Sequence, residues 1–168
     1  MLKDGGTLAF SFHHSQDEAW IGVLRSLFDA GLVLVATYPI RSDETKGESG
    51  DFGSRKIEYD IIHVCRKRLA EPERVSWASM RRWMKEELAR LHGLLQHYQK
   101  QDLSEADVRV ILRGKALEYY SRHYGAIFTG EDEPLGIKDA LIGINGILEE
   151  ELVWCQNARP GPFCLHGL

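Results

Sequence analysis

Apolar positions along the chain change their period once, near residues 69–75. Before that point they fall in short runs. Thr7 to Phe12 alternates and is rich in β-formers, and the Gly5-Gly6 pair ahead of it predicts a turn. Leu32 to Tyr38 is a continuous apolar strand ended by Pro39, and Glu58 to Cys65 is a third strand, closed by Arg66-Lys67-Arg68. Between the first two, Ala19, Trp20, Val23, Leu24, Leu27 and Phe28 recur at helical spacing. Ser15 stands where it would cap that helix, with Glu18 in capping-box register, and Gly31 is a natural stop. The polar, glycine-rich stretch from Ser42 to Lys56 predicts a loop.

After Glu71-Pro72-Glu73 the spacing is helical throughout. Trp77, Met80, Trp83, Met84, Leu88, Leu91 and Leu95 mark a helix from Ser76 to roughly Gln99. A second runs from Ser104, its cap, to about His123, with Asp107 at the three-residue offset. Ala140, Leu141, Ile144, Ile147 and Leu148 mark a third, from Ile137 to Trp154. The tail from Asn157 to Leu168, with two prolines and two glycines, predicts irregular structure. The expected architecture is α/β: residues 1–70 form three strands and one crossover helix, and residues 71–168 an all-helical appendage with its tail. Three strands are too few for a complete doubly wound sheet.

Composition narrows the classes. With 43% hydrophobic and 27% charged residues, 168 residues suffice for a packed core. A net charge of −4 gives no overall attraction to nucleic acid, so any such contact must come from a local patch. Cys65, Cys155 and Cys164 show no C-x-x-C spacing and no disulfide framework, which points to a reducing, cytoplasmic setting. The first residues do not resemble a secretory signal, and the longest apolar stretch, Ala30 to Ile40, is too short to span a bilayer.

Several segments resemble one family in order along the chain. They are Leu2 to His14 (LKDGGTLAFSFHH), Ala19-Trp20, Ala30-Gly31, Tyr38-Pro39-Ile40 and Tyr59 to Arg68 (YDIIHVCRKR). Lys115 to Gly125 (KALEYYSRHYG) and Ile137 to Asn145 (IKDALIGIN) continue the series. Together they resemble the C-terminal part of the DUF1156-type adenine-specific DNA methylases, which use S-adenosylmethionine. The resemblance covers most of residues 1–152. It implies a partial Rossmann-like methyltransferase sheet, in which the three strands are the fifth, sixth and seventh. Their spatial order would be five–seven–six, with the seventh antiparallel. The first strand would then have a bare edge, an arrangement that predicts homodimerisation through that edge or the face beside it.

The departure from the family is in its chemistry. The Asp-Pro-Pro-Tyr motif that clamps the target base occurs nowhere in this sequence, and neither does the glycine-rich S-adenosylmethionine loop. No catalytic, cofactor-binding or metal-binding residue is therefore expected, and no cofactor for this chain alone. The first expectation is a truncated or split methylase piece, inactive alone and completed by a chain carrying the catalytic half. The alternative is a non-enzymatic module of a DNA-modification or defence system, binding DNA or a protein. A product without selected function is the third.

Candidate site residues follow from position. His13 and His14 end the first strand, where open α/β sheets place their sites, and the resemblance implies that they are a possible vestige of the base pocket. Against this, they are an ordinary polar strand end, and adjacent histidines on a strand face opposite ways, a poor arrangement for one metal. The resemblance implies that the loop could approach DNA, with Arg41, Arg55 and Lys56 as possible phosphate contacts; Arg81 and Lys85 share one side of the first long helix and could contact phosphates there. Glu71, Glu73, Glu86 and Glu87 dilute the helical patch toward a solvated face. Asp51-Phe52-Gly53 spells the kinase magnesium triplet without any other kinase motif, and is read as chance.

Overall fold

The structure is a computed structural model that describes residues 2–12, 14, 16–41, 59–99, 103–130 and 133–157. In chain order the elements are β1 (Thr7–Ser11), α1 (Asp17–Asp29), β2 (Leu32–Arg41), β3 (Tyr59–Lys67), β4 (Val75–Ser76), α2 (Trp77–Gln99), α3 (Glu105–Arg122), β5 (Ile127–Phe128) and α4 (Ile137–Asn157). The protein is thus mixed α/β, with four helices and a small sheet among the described residues.

The main sheet has the order β1-β3-β2, and β3 runs antiparallel to both neighbours. β1 and β2 are therefore parallel, and α1 is the crossover that parallel strands require. Gly31 ends that crossover: its φ of 70° is one that only glycine adopts without strain, and its N–H donates to the Phe28 carbonyl. Its own carbonyl accepts from the Arg68 N–H, tying the start of β2 to the end of β3.

Pairing assigns each strand residue to a face. His63 on β3 lies between Phe10 and Thr37, and Cys65 lies between Leu8 and Leu34. On this face Ile61, His63 and Cys65 are buried, and the contacts from α1 and α3 arrive here. The opposite face carries Ile62 and Val64, half-buried, beside Tyr38 and Ile40, which are 56% and 39% exposed. A bulge between Leu34 and Ala36 makes Val35 the extra residue of β2.

One hydrophobic cluster runs through the molecule, from Trp20, Leu24, Leu34, Ile61 and Cys65 to Met80, Met84, Leu112, Leu141 and Ile144. Residues before and after the change of period thus share a core. The C-terminal part is not all-helical as expected. β4 and β5 pair in parallel, with the Val75 N–H donating to the Ala126 carbonyl and the Arg74 guanidinium 3.9 Å above the Phe128 ring. Strands of two residues leave no periodicity in a sequence to find.

The α3 capping box forms as the sequence predicts. Ser104 Oγ accepts from the Asp107 N–H, and Asp107 accepts from the Ser104 N–H. For α1 the N-cap is Gln16, which makes no side-chain capping bond. Ser15 lies outside the described residues.

Besides sharing the hydrophobic cluster, α3 reaches the sheet through polar groups. Ser121 Oγ accepts from the Leu34 N–H at 2.6 Å, and Thr37 Oγ1 donates to Glu118 Oε1 at 2.5 Å. At Gly114 a Cβ would sit 3.2 Å from Thr37 Oγ1, so a glycine permits this close approach. Asp107 Oδ1 accepts from the Tyr59 N–H. Asp107, Gly114, Glu118 and Ser121 lie on one helical stripe, and all four are buried.

Candidate functional site

The carboxyl end of β1 is where an open α/β sheet would hold a site, and the chain there is tightly committed to structure. His14 Nδ1 accepts from the Gln16 N–H at 3.0 Å, and the His14 carbonyl accepts from Trp20 Nε1 at 2.8 Å. The His14 ring stacks on Phe12. His14 thus ties the strand end to the start of α1. His13 lies outside the described residues.

Behind His14 stands a histidine that no sequence pattern singles out. His63 is 1% exposed, inside the apolar strand β3, with Phe10 on one side and the Trp20 edge on another. Its Nε2 lies 3.1 Å from the Phe12 carbonyl. Burial lowers its pKa below the ordinary imidazole value, opposed in part by that carbonyl. The ring is therefore neutral near pH 7, with Nε2–H donating to Phe12. Phe10, Phe12, Trp20 and His63 form an aromatic cluster that fixes the strand end against α1.

Beside it, α1, α3 and α4 meet in a polar cleft of about 410 Å³. Asp17, in the first turn of α1, accepts from Arg113 on α3 at 2.5 Å and from Asn145 on α4 at 2.9 Å. The Arg113 guanidinium is 5.0 Å from the centre of the Trp20 ring. Arg109 pairs with Glu149 across the same cleft, and Glu18 also lines it. Three carboxylates thus face two guanidiniums, so the cleft does not favour a phosphate. Arg109 and Arg113 are four residues apart, a spacing shared with many solvated helix faces; the cleft appears only once α1 and α4 flank them.

The candidate DNA contacts are dispersed. Arg81 and Lys85 on α2 both bind the Glu150 carboxylate on α4, and the Lys85 hydrogen bond is the main reason its pKa is lowered. They are brought together, but around a carboxylate that joins two helices. Arg41 is exposed at the end of β2. Arg55, Lys56 and the Asp51-Phe52-Gly53 triplet lie outside the described residues. The Arg66-Lys67-Arg68 run is split. Arg66 is exposed, Lys67 pairs with Asp4, and Arg68 donates to the Ser121 and Arg122 carbonyls at the C-terminus of α3. A cation there also complements the helix dipole.

Burial pushes the Cys65 thiol up to about 11, so it is not a nucleophile at neutral pH. Met80 and Met84 are fully buried, whereas Trp77 is half-buried and Trp83 is 39% exposed. Among the described residues no group of three or more His, Cys, Asp or Glu could hold a metal ion, and no helix is long and apolar enough to cross a membrane. Fold and site together define a mixed α/β protein in which several ion pairs among the described residues join separate elements. No protein-family model, no curated protein and no solved structure matches the chain.

Proposed function

We propose that these residues are the C-terminal part of an adenine-specific DNA methyltransferase sheet, inactive alone and completed by a polypeptide carrying the catalytic half. The strand order carries this reading. β1, β3 and β2 lie side by side with β3 antiparallel in the middle, and β1-α1-β2 is a crossover unit. That is the order and polarity the sequence resemblance implies for strands five, seven and six. The base-clamping and S-adenosylmethionine motifs are absent from the 168 residues, so the methyl donor belongs to the other half. This chain's own contribution is structural: the Phe12, Trp20 and His63 cluster holds the carboxyl end of β1 rigid beside the pocket.

The test is methyl transfer from S-adenosylmethionine to adenine in duplex DNA. The chain alone should transfer nothing, and adding a polypeptide with the Asp-Pro-Pro-Tyr half should produce methylated adenine. Methylation by the isolated chain would refute the proposal.

A second reading, a protein-binding module without catalysis, is favoured by the exposed Tyr38 and Ile40 on the open sheet face. Its DNA-binding version is less well supported, because Arg81 and Lys85 share Glu150. Duplex affinity unchanged by Arg81→Glu and Lys85→Glu would dismiss the DNA version.

A further inference from the structure

We infer that the outer edge of β1 pairs with β1 of a second copy of this chain, antiparallel, with the two-fold axis through Ala9. Three observations select a second copy as the occupant.

The first is hydrogen-bond phase. The Phe12 N–H donates to the Ile61 carbonyl, which continues the β1–β3 register, so Leu8 and Phe10 bond inward to β3. Thr7, Ala9 and Ser11 therefore turn their N–H and C=O groups outward. A two-fold axis at Ala9 sets Ala9 opposite Ala9 and Thr7 opposite Ser11. Every outward residue then meets an outward residue, and each such pair exchanges both of its bonds.

The second is the side-chain pattern, which is symmetric about the same residue. Thr-Leu-Ala-Phe-Ser reads small, large, small, large, small. Across the axis Leu8 faces Phe10 on the helix-bearing side, and small residues meet on the open side. Leu8 is 36% exposed and Phe10 half-buried, so the pairing removes apolar surface from water.

The third is charge. β1 carries no ionised side chain along its length, and so lacks the charged residues that usually protect an edge. Around its amino end lie Lys3 and Arg66, with the Asp4–Lys67 pair neutral in itself. Around its carboxyl end lie Glu18 and Asp60, with Asp17 answered by Arg113. Antiparallel pairing brings the basic end of one copy to the acidic end of the other.

The experiment is light scattering on the full 168-residue chain over a micromolar dilution series, with circular dichroism to confirm folding. The wild type should run at about twice the chain mass of 19.1 kDa. Ala9→Pro removes an outward N–H that β3 does not use, and should give a folded monomer. Should Ala9→Pro fail to fold, Ala9→Lys keeps the β3 ladder and sets two cations against each other on the axis. It should weaken the dimer at least about tenfold. A wild type that is monomeric while folded, leaving the edge for a strand of another protein, would overturn the inference. So would an Ala9→Lys variant that dimerises as tightly as wild type.

Discussion

The two edges of the three-stranded sheet are treated in opposite ways. The outer edge of β2 carries Pro39, and its Leu34 amide is taken by Ser121 of α3, with Thr37 bound to Glu118 alongside. The outer edge of β1 is flat and uncharged, with Leu8 exposed at its rim. A chain that finishes one edge with buried polar contacts has the means to finish both. Where the described residues leave the other unprotected, the unprotected edge is the one suited to pair. Covering β2 leaves β1 as the edge where a further strand can join, so self-pairing and the polypeptide carrying the catalytic half compete for it.

The largest effect should come from damaging the finished edge. Glu118→Ala removes a buried carboxylate from Thr37 and Lys115, and should cost about 3 kcal/mol in urea unfolding. Ser121→Ala leaves the Leu34 N–H buried without an acceptor and should cost about 2 kcal/mol by the same measurement. A loss below about 0.5 kcal/mol for both would mean that α3 does not hold the β2 edge.

A pH dependence comes next. His63 is neutral in the fold with a pKa below 6.5, so the unfolded chain takes up a proton first as pH falls. Stability should therefore decline below pH 6.5 until His63 titrates in the folded state too, with a slope of at most about 1.4 kcal/mol per pH unit from this group. His63→Gln, followed by thermal melts from pH 7 to pH 5, should flatten that slope. An unchanged slope would place the proton uptake elsewhere.

The smallest effect belongs to the unfinished edge. Thr7→Ala, measured at a dilution where the chain is monomeric, should alter unfolding by less than about 0.5 kcal/mol. A larger loss would mean that β1's outer edge already has a partner within the chain.

Much of this was legible before the structure. The three long strands and the four helices follow from periodicity, and the Ser104-Asp107 box located the start of α3 within a residue. The docking of α3 was not legible. Glu118 and Ser121 look in sequence like a solvated helix face, and they are buried where β2 sets the Thr37 hydroxyl and the Leu34 N–H opposite them. Apolar periodicity cannot find the hydrogen bonds of an interface. His63 was hidden for the converse reason, since a polar residue inside an apolar strand reads as an interruption until Phe12 supplies its acceptor. The basic residues failed as a patch because charge counts do not see partners. Glu150 lies 69 positions from Arg81, a pairing that only the fold brings about.

Calorimetric titration of the isolated chain with S-adenosylmethionine tests most directly whether the reaction machinery lies outside these residues. No saturable heat is expected, in either the monomeric or the self-paired state. A micromolar, one-site isotherm from the chain alone would contradict the assignment of cofactor binding to the other half.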